Sequence, residues 1–331
     1  MEVDKMELFE SLIAKVKGTG KKIVFPEGND ERIVKAAVRL ATDGIIEPIV
    51  LGKTAAIKQL AGVTQELPAT LKVLDPATYP TAKFEEMVSA FVERRKGKNT
   101  AEQARKLLQD VNYFGTMLVY LGIADGLVSG AVHPTGDTVR PALQIIKTRP
   151  GVSRTSGAFI MTKGTERYLF ADCAINIEPN AQELAEIAVS SAATARLFDI
   201  DPRVALLSFS TKGSAKAETV TKVAEATKIA HAAAPMEKID GELQFDAAFV
   251  ETVARKKAPD SEVAGHANVF VFPELQSGNI GYKIAQRFGG FEAIGPILQG
   301  LNKPISDLSR GAVEEDVYKV AIITALQATG A

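Results

Sequence analysis

The stretch KIVFPEGNDERIVKAAVRLATDGIIEPIVL, residues 22–51, contains the pattern that decides the fold. Two short apolar runs, at residues 22–25 and 46–51, enclose a longer helical pattern at residues 30–41. Strand, helix and strand in this order indicate parallel strands joined by a right-handed crossover. We therefore predict an α/β protein.

The same alternation continues along the chain and restarts after Thr148-Arg149-Pro150-Gly151, which interrupts a helical pattern. Further strands are expected at residues 71–74, 126–129, 157–161, 168–176, 204–208 and 269–272. Further helices are expected at residues 54–60, 82–110, 113–121, 138–147, 181–198, 217–234, 281–288 and 314–327. Because the last helix is short of strand partners, we expect it to pack on the first unit. This gives a split first domain, residues 1–149 and 299–331, and an inserted second domain, residues 150–298.

Composition and charge exclude several classes of protein. The chain has 331 residues, of which 46% are hydrophobic and 24% charged, as in soluble globular proteins. Its formal charge of −1 is too small to favour nucleic acid or a membrane surface as a partner. The single cysteine, Cys173, excludes a disulfide framework, and it is interpreted as a core residue. No secretory leader and no apolar run of about 20 residues is visible, so we expect a cytoplasmic protein.

Several familiar motifs are absent or incomplete. The sequence Lys17-Gly18-Thr19-Gly20-Lys21 precedes its strand and lacks the first glycine and the hydroxyl of a phosphate loop. No G-x-G-x-x-G follows a predicted strand, which argues against a dinucleotide-binding site. The three histidines, His133, His231 and His266, lack metal-ligand spacing. No metal and no bound cofactor are expected.

Three loops follow predicted strands and carry small, hydroxylated or basic residues, the position where α/β sheets bind ligands. Residues 129–141 offer Ser129, Arg140 and helix-start amides as an anion site, although a helix capped by Asp137 or Thr138 with a solvated Arg140 is an equal alternative. Residues 208–216 resemble a phosphate cradle, and a polar loop with a capping serine is the alternative. Residues 273–283 either turn the chain or face a ligand. The candidate ligand contacts in these last two loops are Ser210, Thr211, Lys212, Asn279, Tyr282 and Lys283.

The fourth segment, Pro304-Ile305-Ser306-Asp307-Leu308-Ser309-Arg310-Gly311, combines a hydroxyl and a guanidinium beside a glycine. Asp316 follows on an acidic helix, where a carboxylate in the first turn is also favourable for purely structural reasons. Arg310 is harder to explain structurally, because its planar fork suits a pair of phosphate oxygens. We predict a phosphate site here.

Together these strings resemble the phosphate acetyltransferases, or phosphotransacetylases, over essentially the whole chain. The matching strings are FPE (25–27), VSGA (128–131), TVRPALQI (138–145), LFAD (169–172), STKGSAK (210–216), DGELQFDAA (240–248) and DLSRG (307–311). The resemblance implies a homodimer of two-domain subunits with three-layer αβα architecture and mixed or parallel sheets, similar to isocitrate and isopropylmalate dehydrogenases. It places the active site in the interdomain cleft. It also implies reversible acetyl transfer between coenzyme A (CoA) and phosphate, through acetyl-CoA and acetyl phosphate, without a prosthetic group.

Carried over by residue, the family's essential serine and arginine fall on Ser309 and Arg310, and its catalytic aspartate falls on Asp316. Two arginines that hold CoA fall on Arg140 and on Arg94 or Arg95, of which Arg95 is favoured. Other members have a small polar residue in place of Val313 and often a cysteine in place of Ala312.

The expected mechanism is a direct transfer without an acetyl-enzyme. Asp316 takes the thiol proton, Ser309 donates a hydrogen bond to the sulfur or the carbonyl oxygen, and Arg310 clamps the phosphate. Three alternatives remain. They are a phosphate acyltransferase for longer chains such as butyryl, a dehydrogenase of similar fold that needs NAD and a divalent metal, and a non-catalytic regulatory copy.

Overall fold

The computed structural model describes residues 2–330, with side chains from residue 8 onward, and it divides into two compact units. The first unit joins Phe9–Arg149 to Leu301–Ala331, and the second comprises Pro150–Gly300 with Met1–Leu8. None of the helices in residues 2–330 combines the length and the apolar character needed to span a bilayer.

Within these residues, strands and helices alternate along most of the chain. The strands are β1 (Lys22–Phe25), β2 (Glu47–Leu51), β3 (Lys72–Leu74), β4 (Gly126–Ser129), β5 (Ser156–Lys163), β6 (Glu166–Ala171), β7 (Arg203–Leu207), β8 (Lys238–Leu243), β9 (Val269–Val271), β10 (Glu292–Gln299) and β11 (Ile305–Asp307). The α-helices are α1 (Glu2–Val16), α2 (Glu31–Thr42), α3 (Thr54–Ala61), α4 (Thr81–Arg94), α5 (Ala101–Leu107), α6 (Val111–Tyr120), α7 (Thr135–Pro141), α8 (Ala181–Leu197), α9 (Glu218–Ala233), α10 (Phe245–Phe249), α11 (Glu251–Lys257), α12 (Leu275–Arg287) and α13 (Glu314–Ala328). A 3₁₀ turn (Pro76–Thr78) and a π-helical turn (Ala142–Ile146) complete the regular structure.

The sheet of the first unit is parallel, with strand order β11-β4-β1-β2-β3. The chain builds outward from β1 to β3 and then returns to the other side of β1 with β4. Ligands of open α/β sheets bind at the carboxyl ends of strands where the order reverses, which here is between β1 and β4. A ligand site is therefore expected among the residues that follow β1, β4 and the neighbouring β11.

Helix α2 shows how the sequence determines the local structure. The side chain of Asp30 caps its first turn by accepting hydrogen bonds from the backbone N–H groups of Arg32 and Ile33, at 2.9 and 3.4 Å. Buried side chains recur at helical spacing, from Ile33 and Val34 to Leu40, and pack this face against α13 and the sheet. The helix predicted at residues 30–41 is confirmed.

The second unit contains a mixed sheet with strand order β10-β5-β6-β9-β7-β8. The pairs β6–β9, β9–β7 and β7–β8 are parallel, whereas β5 pairs antiparallel with both β6 and β10. The prediction of an α/β protein with parallel and mixed sheets is confirmed.

The predicted start of the helix at residues 281–288 is wrong, because α12 begins six residues earlier, at Leu275. Glu274 starts the helix by accepting hydrogen bonds from the N–H groups of Gln276 and Ser277, at 2.7 and 2.8 Å. The glycines that suggested a turn are instead sites of close packing. A Cβ atom on Gly278 would lie 2.2 Å from the carbonyl oxygen of Asp172.

Candidate active site

The carboxyl ends of β1, β4 and β11 meet in one cluster at the rim of the first sheet. The backbone N–H of Leu308, directly after β11, donates to the carbonyl of Ser129 at the end of β4, at 2.7 Å. Gly130 has φ +112°, and a Cβ atom there would lie 2.6 Å from the backbone nitrogen and oxygen of Leu308. Only glycine fits this contact, so the loop after β4 is held directly against the segment that leads to Ser309 and Arg310.

Glu27, two residues after β1, holds the loop that follows β4. Its side chain is fully buried, and it accepts hydrogen bonds from the backbone N–H groups of residues 130–133 at 2.9–3.0 Å. It also accepts a hydrogen bond from Nδ1 of His133 at 2.7 Å. A carboxylate of the protein itself therefore occupies these four amides, which form the kind of nest that otherwise binds an anion.

Two other buried polar groups lie beside this loop. The hydroxyl of Ser129 donates to Oδ1 of Asn112 at 2.7 Å, and both side chains are fully buried. Oδ2 of Asp307 accepts a hydrogen bond from the hydroxyl of Thr135 at 2.7 Å, while Oδ1 finds no hydrogen-bond partner among the described side chains and backbone. Burial raises the pKa of Asp307. Ser129 faces the protein here, and its predicted contact with a ligand stays a prediction.

Arg32, which the sequence analysis did not identify, ties the rim together. Its Nε and Nη2 atoms donate to Asp30 at 3.0 and 2.8 Å, and Nη2 also donates to the carbonyl of Ala131 at 2.8 Å. Its Nη1 atom donates to the carbonyls of Arg310 and Ala312, at 2.9 and 2.7 Å. All five N–H donors of the guanidinium are used. The loops after β4 and β11 are therefore linked through one side chain.

Ser309 and Arg310 are exposed on this rim. The hydroxyl oxygen of Ser309 accepts a hydrogen bond from the N–H of Gly311 at 3.2 Å, which leaves its own proton available to donate. Among the described residues, the guanidinium of Arg310 has neither a hydrogen-bond nor an ion-pair partner. The structure thus presents an unpaired cation and a hydroxyl donor side by side.

Asp316 lies in the first turn of α13 and is exposed. Its Oδ2 atom accepts a hydrogen bond from the N–H of Val313 at 2.9 Å. Oδ2 therefore has the structural role considered for Asp316 in the sequence analysis, which is to cap the start of α13.

The arginines of this unit that are predicted to bind CoA differ in how strongly they bond to the rest of the protein. Arg94 donates to the carbonyls of Ile145 and Ile146 and lies over the ring of Tyr120. Arg95 bonds to the side chain of Asn99 at 3.1 Å and makes only a 3.5 Å contact with the carbonyl of Gln144.

Arg140 is 61% exposed and lies 3.8 Å from Asp137. It lines a cavity of about 510 Å³ together with Asn99, the partner of Arg95. The other residues that line the cavity are Gln103, Lys106, Leu107, Asp110, Tyr113 and Asp137. Arg140 and Arg95 therefore belong to the surroundings of one cavity, whereas Arg94 stabilises the π-helical turn.

The loop at residues 208–216 lies at the carboxyl end of β7, in the second unit. The hydroxyl of Ser210 and the N–H of Gly213 both donate to the buried carboxylate of Glu242, at 3.0 and 2.6 Å. The hydroxyl of Thr211 donates to Gln244 at 3.1 Å, and Lys212 pairs with Asp240. The cradle predicted for a phosphate thus binds side chains of β8 and the residue that follows it in this structure, and its role in substrate binding stays a prediction.

Asn279, Tyr282 and Lys283 lie on α12. The amide of Asn279 donates to the carbonyl of Cys173 at 3.1 Å, and Lys283 donates to Asn279 at 2.8 Å. The ring of Tyr282 stacks on Phe159 with a centroid distance of 4.3 Å. Cys173 is fully buried, as predicted, and burial raises the pKa of its thiol.

Asp172, directly after β6, fixes the loop against which α12 packs through Gly278 and Asn279. Its carboxylate is buried and accepts hydrogen bonds from the backbone N–H groups of Gly157, Ala174, Ile175 and Asn176. This is a second carboxylate that fills a cluster of backbone amides, after Glu27 in the first unit.

Comparison with known proteins identifies relatives over nearly the full chain. A family model described as phosphate acetyl/butaryl transferase matches residues 7–325. A phosphate acetyltransferase from Bacillus subtilis is 64% identical over 325 residues, which cover 97% of this chain and 99% of the relative. The crystal structure of a phosphotransacetylase from Streptococcus pyogenes superposes with a TM-score of 0.94 at 62% identity, over 98% of this chain and 99% of the other.

A more distant structure shares the fold alone. A protein from Salmonella typhimurium described as a 4-hydroxythreonine-4-phosphate dehydrogenase superposes with a TM-score of 0.54 at 15% identity, over 93% of this chain and 99% of the other. The likeness of the architecture to that of a dehydrogenase agrees with the predicted fold class.

Proposed function

The chain belongs to the phosphate acetyl/butaryl transferase family, and we propose that it catalyses the reversible reaction of acetyl-CoA and phosphate to CoA and acetyl phosphate. Membership in this family makes the protein an acyltransferase. The observation that supports a phosphate substrate best is the unpaired, exposed guanidinium of Arg310 beside Ser309, on the rim where the strand order reverses. CoA and acetyl-CoA enter as substrates, and no prosthetic group is required.

We assign Arg310 to the phosphate and Ser309 to the sulfur or the carbonyl oxygen. A guanidinium binds two phosphate oxygens through parallel hydrogen bonds, and a hydroxyl that already accepts from Gly311 can donate to a developing negative charge. The other proposed substrate-binding residues are Ser129, Ser210, Thr211, Lys212, Asn279, Tyr282 and Lys283.

The assay that tests this proposal follows free thiol released from acetyl-CoA. We expect release that depends on phosphate, or on arsenate in its place. A protein that releases no thiol under either condition would be the non-catalytic copy. NADH formation with a divalent metal and a hydroxy acid would instead identify a dehydrogenase. The description of the family model includes a butyryl enzyme, so rates with acetyl phosphate and butyryl phosphate should be compared.

Replacing Asp316 by Asn is expected to lower kcat about 100-fold and to leave CoA affinity nearly unchanged. Asp316 is proposed to take the thiol proton, whereas the amide oxygen of Asn can still accept the hydrogen bond from Val313 that caps α13. Steady-state kinetics together with calorimetric titration of CoA measure the two quantities. An unchanged kcat at neutral pH would remove Asp316 from the mechanism.

Replacing Arg95 by Gln is expected to raise the KM for CoA by about tenfold, which corresponds to about 1.4 kcal/mol of binding free energy. The unfolding free energy should change little, because among the described residues Arg95 bonds only to Asn99 and makes a 3.5 Å contact with the carbonyl of Gln144. Arg94→Gln is the matched comparison. It should mainly destabilise the fold, since Arg94 donates to two backbone carbonyls. A larger KM change in Arg94→Gln would assign CoA to Arg94 instead.

We further propose that the protein forms a homodimer and works in the cytoplasm. Ile280, Ile284 and Phe288 recur every fourth residue on and just after α12, and their side chains are 56%, 53% and 91% exposed. An apolar stripe of this kind suits a second copy of the chain better than water. Light scattering measures the mass in solution.

The cytoplasm is proposed because a reducing compartment would keep the CoA thiol free.

A further inference from the structure

The pair formed by Glu27 and His133 has a geometry that the roles proposed above do not use. We propose that His133 is a further catalytic residue, oriented by Glu27, that accepts the proton of the attacking phosphate and returns it in the reverse reaction. This inference rests on the proposed acetyl transfer between CoA and phosphate.

The hydrogen bonds fix which nitrogen of His133 is available. The carboxylate of Glu27 can only accept, so the contact of 2.7 Å requires a proton on Nδ1 of His133. In the neutral imidazole, Nε2 then carries the lone pair. No described residue bonds to Nε2, and the side chain is 26% exposed. A histidine held by a buried carboxylate at one nitrogen, with the other nitrogen open, is the arrangement of a general base.

The loop that carries His133 is bonded to the segment that carries Arg310. The guanidinium of Arg32 donates to the carbonyl of Ala131, two positions before His133, at 2.8 Å. It also donates to the carbonyl of Arg310 at 2.9 Å. Two positions after His133, Thr135 bonds to Asp307, three residues before Arg310. The loop of His133 is thus attached on both sides to the segment that carries Arg310.

The proposed step balances as follows. An oxygen of HPO₄²⁻ attacks the carbonyl carbon of acetyl-CoA, and the proton on that phosphate passes to Nε2 of His133. A C–O bond forms and the C–S bond breaks, so its electron pair leaves with the sulfur. The thiolate takes a proton from the carboxyl group of Asp316. Exchange with solvent restores both side chains, and acetyl phosphate and CoA are released.

An imidazole suits the phosphate better than a carboxylate does. Once the C–O bond forms, the proton to be transferred is the second proton of a phosphate monoester, which is lost at about pH 6. The ordinary imidazole pKa of about 6.5 is close to this value, whereas carboxyl groups titrate at about 4. Two charged side chains from neighbouring elements act on the Glu27 carboxylate. Arg32 of α2 attracts it, and Asp307 of β11 repels it. On α7, after His133, Asp137 and Arg140 lie 3.8 Å from each other.

The decisive variant is His133→Asn. The amide nitrogen of Asn lies where Nδ1 lies in histidine, so it can still donate to Glu27, but the variant has no counterpart of Nε2. We expect kcat for phosphate-dependent thiol release to fall about 100-fold, with unchanged urea unfolding. The ratio of wild-type to variant kcat should rise with pH, because a general base acts in its unprotonated form. In His133→Ala, added imidazole should restore the rate at least about tenfold.

His266→Gln is the matched control, since His266 is an exposed histidine outside the rim; it should behave as wild type. If His133→Asn keeps full kcat and the same pH profile, His133 only completes the hydrogen bonds of Glu27 and the inference is wrong. Loss of activity without a change in pH dependence and without rescue by imidazole would also overturn it. An inactive wild-type protein would contradict the proposed function itself, so the two failures are distinguishable.

Discussion

Replacing Arg310 by Gln is expected to lower kcat for phosphate-dependent thiol release by about three orders of magnitude. Removal of a single preorganised donor from a developing negative charge costs about 10²–10³ in rate, and Arg310→Gln removes a full charge as well as the paired donors. Because the guanidinium is exposed and unpaired among the described residues, the free energy of unfolding should not change. Steady-state kinetics and urea unfolding measure both effects.

Two further variants make this result specific. Arg310→Lys keeps the charge but loses the planar fork, so its kcat should lie between those of the wild type and Arg310→Gln. Arg255→Gln removes an exposed arginine of α11, whose partner is Glu251, and should leave kcat unchanged. An Arg310→Gln enzyme that retains more than about a tenth of the wild-type kcat would contradict the phosphate assignment.

Replacing Glu27 by Gln is expected to lower the free energy of unfolding by about 3–5 kcal/mol. The carboxylate accepts from four backbone N–H groups and from His133, whereas glutamine offers one oxygen and turns its own N–H₂ donors toward the remaining amides. Buried donors that lose their acceptor carry their full desolvation cost. Urea unfolding of the wild type and the variant measures the difference.

Glu31→Gln is the matched control for this substitution. Glu31 lies four positions away, on the surface of α2, where it pairs with Lys35. Its loss should cost less than about 1 kcal/mol. Equal stabilities of Glu27→Gln and Glu31→Gln would show that the loop after β4 does not depend on the buried carboxylate.

The fold could be predicted where local patterns determine it. Apolar runs and helical spacing located β1, α2, β2, β4, α8 and β9 to within a few residues, because these periodicities are written in consecutive positions. The strands β8, β10 and β11 were missed. β8 contains Asp240-Gly241-Glu242 and β10 contains Gly295-Pro296, which are typical of turns, and β11 has only three residues. The start of α12 was missed because Gly278 and Gly281 are there for close packing, which depends on the tertiary structure.

The residues of the candidate site also differ in whether the sequence could reveal them. Ser309 and Arg310 could be singled out because they are adjacent in the sequence and chemically distinctive. Glu27 and Arg32 could not, because the backbone groups that they bond in the site lie 103–106 and 99–280 residues away, respectively. The available signal for Glu27 was an acidic residue two positions after a buried strand, where a charge is costly unless it is paired.

The carboxylates of Glu27, Asp172 and Glu242 take up backbone amides that could otherwise bind an anion. Glu27 and Asp172 each accept from four amides and Glu242 from that of Gly213, so these loops hold their shape through the protein's own side chains. In the proposed assignment, recognition of the phosphate falls to the exposed side chain of Arg310, whose field would be weakened by salt. Such a site would give up tight capture of phosphate or acetyl phosphate and would exchange both rapidly, which suits the reversible reaction proposed.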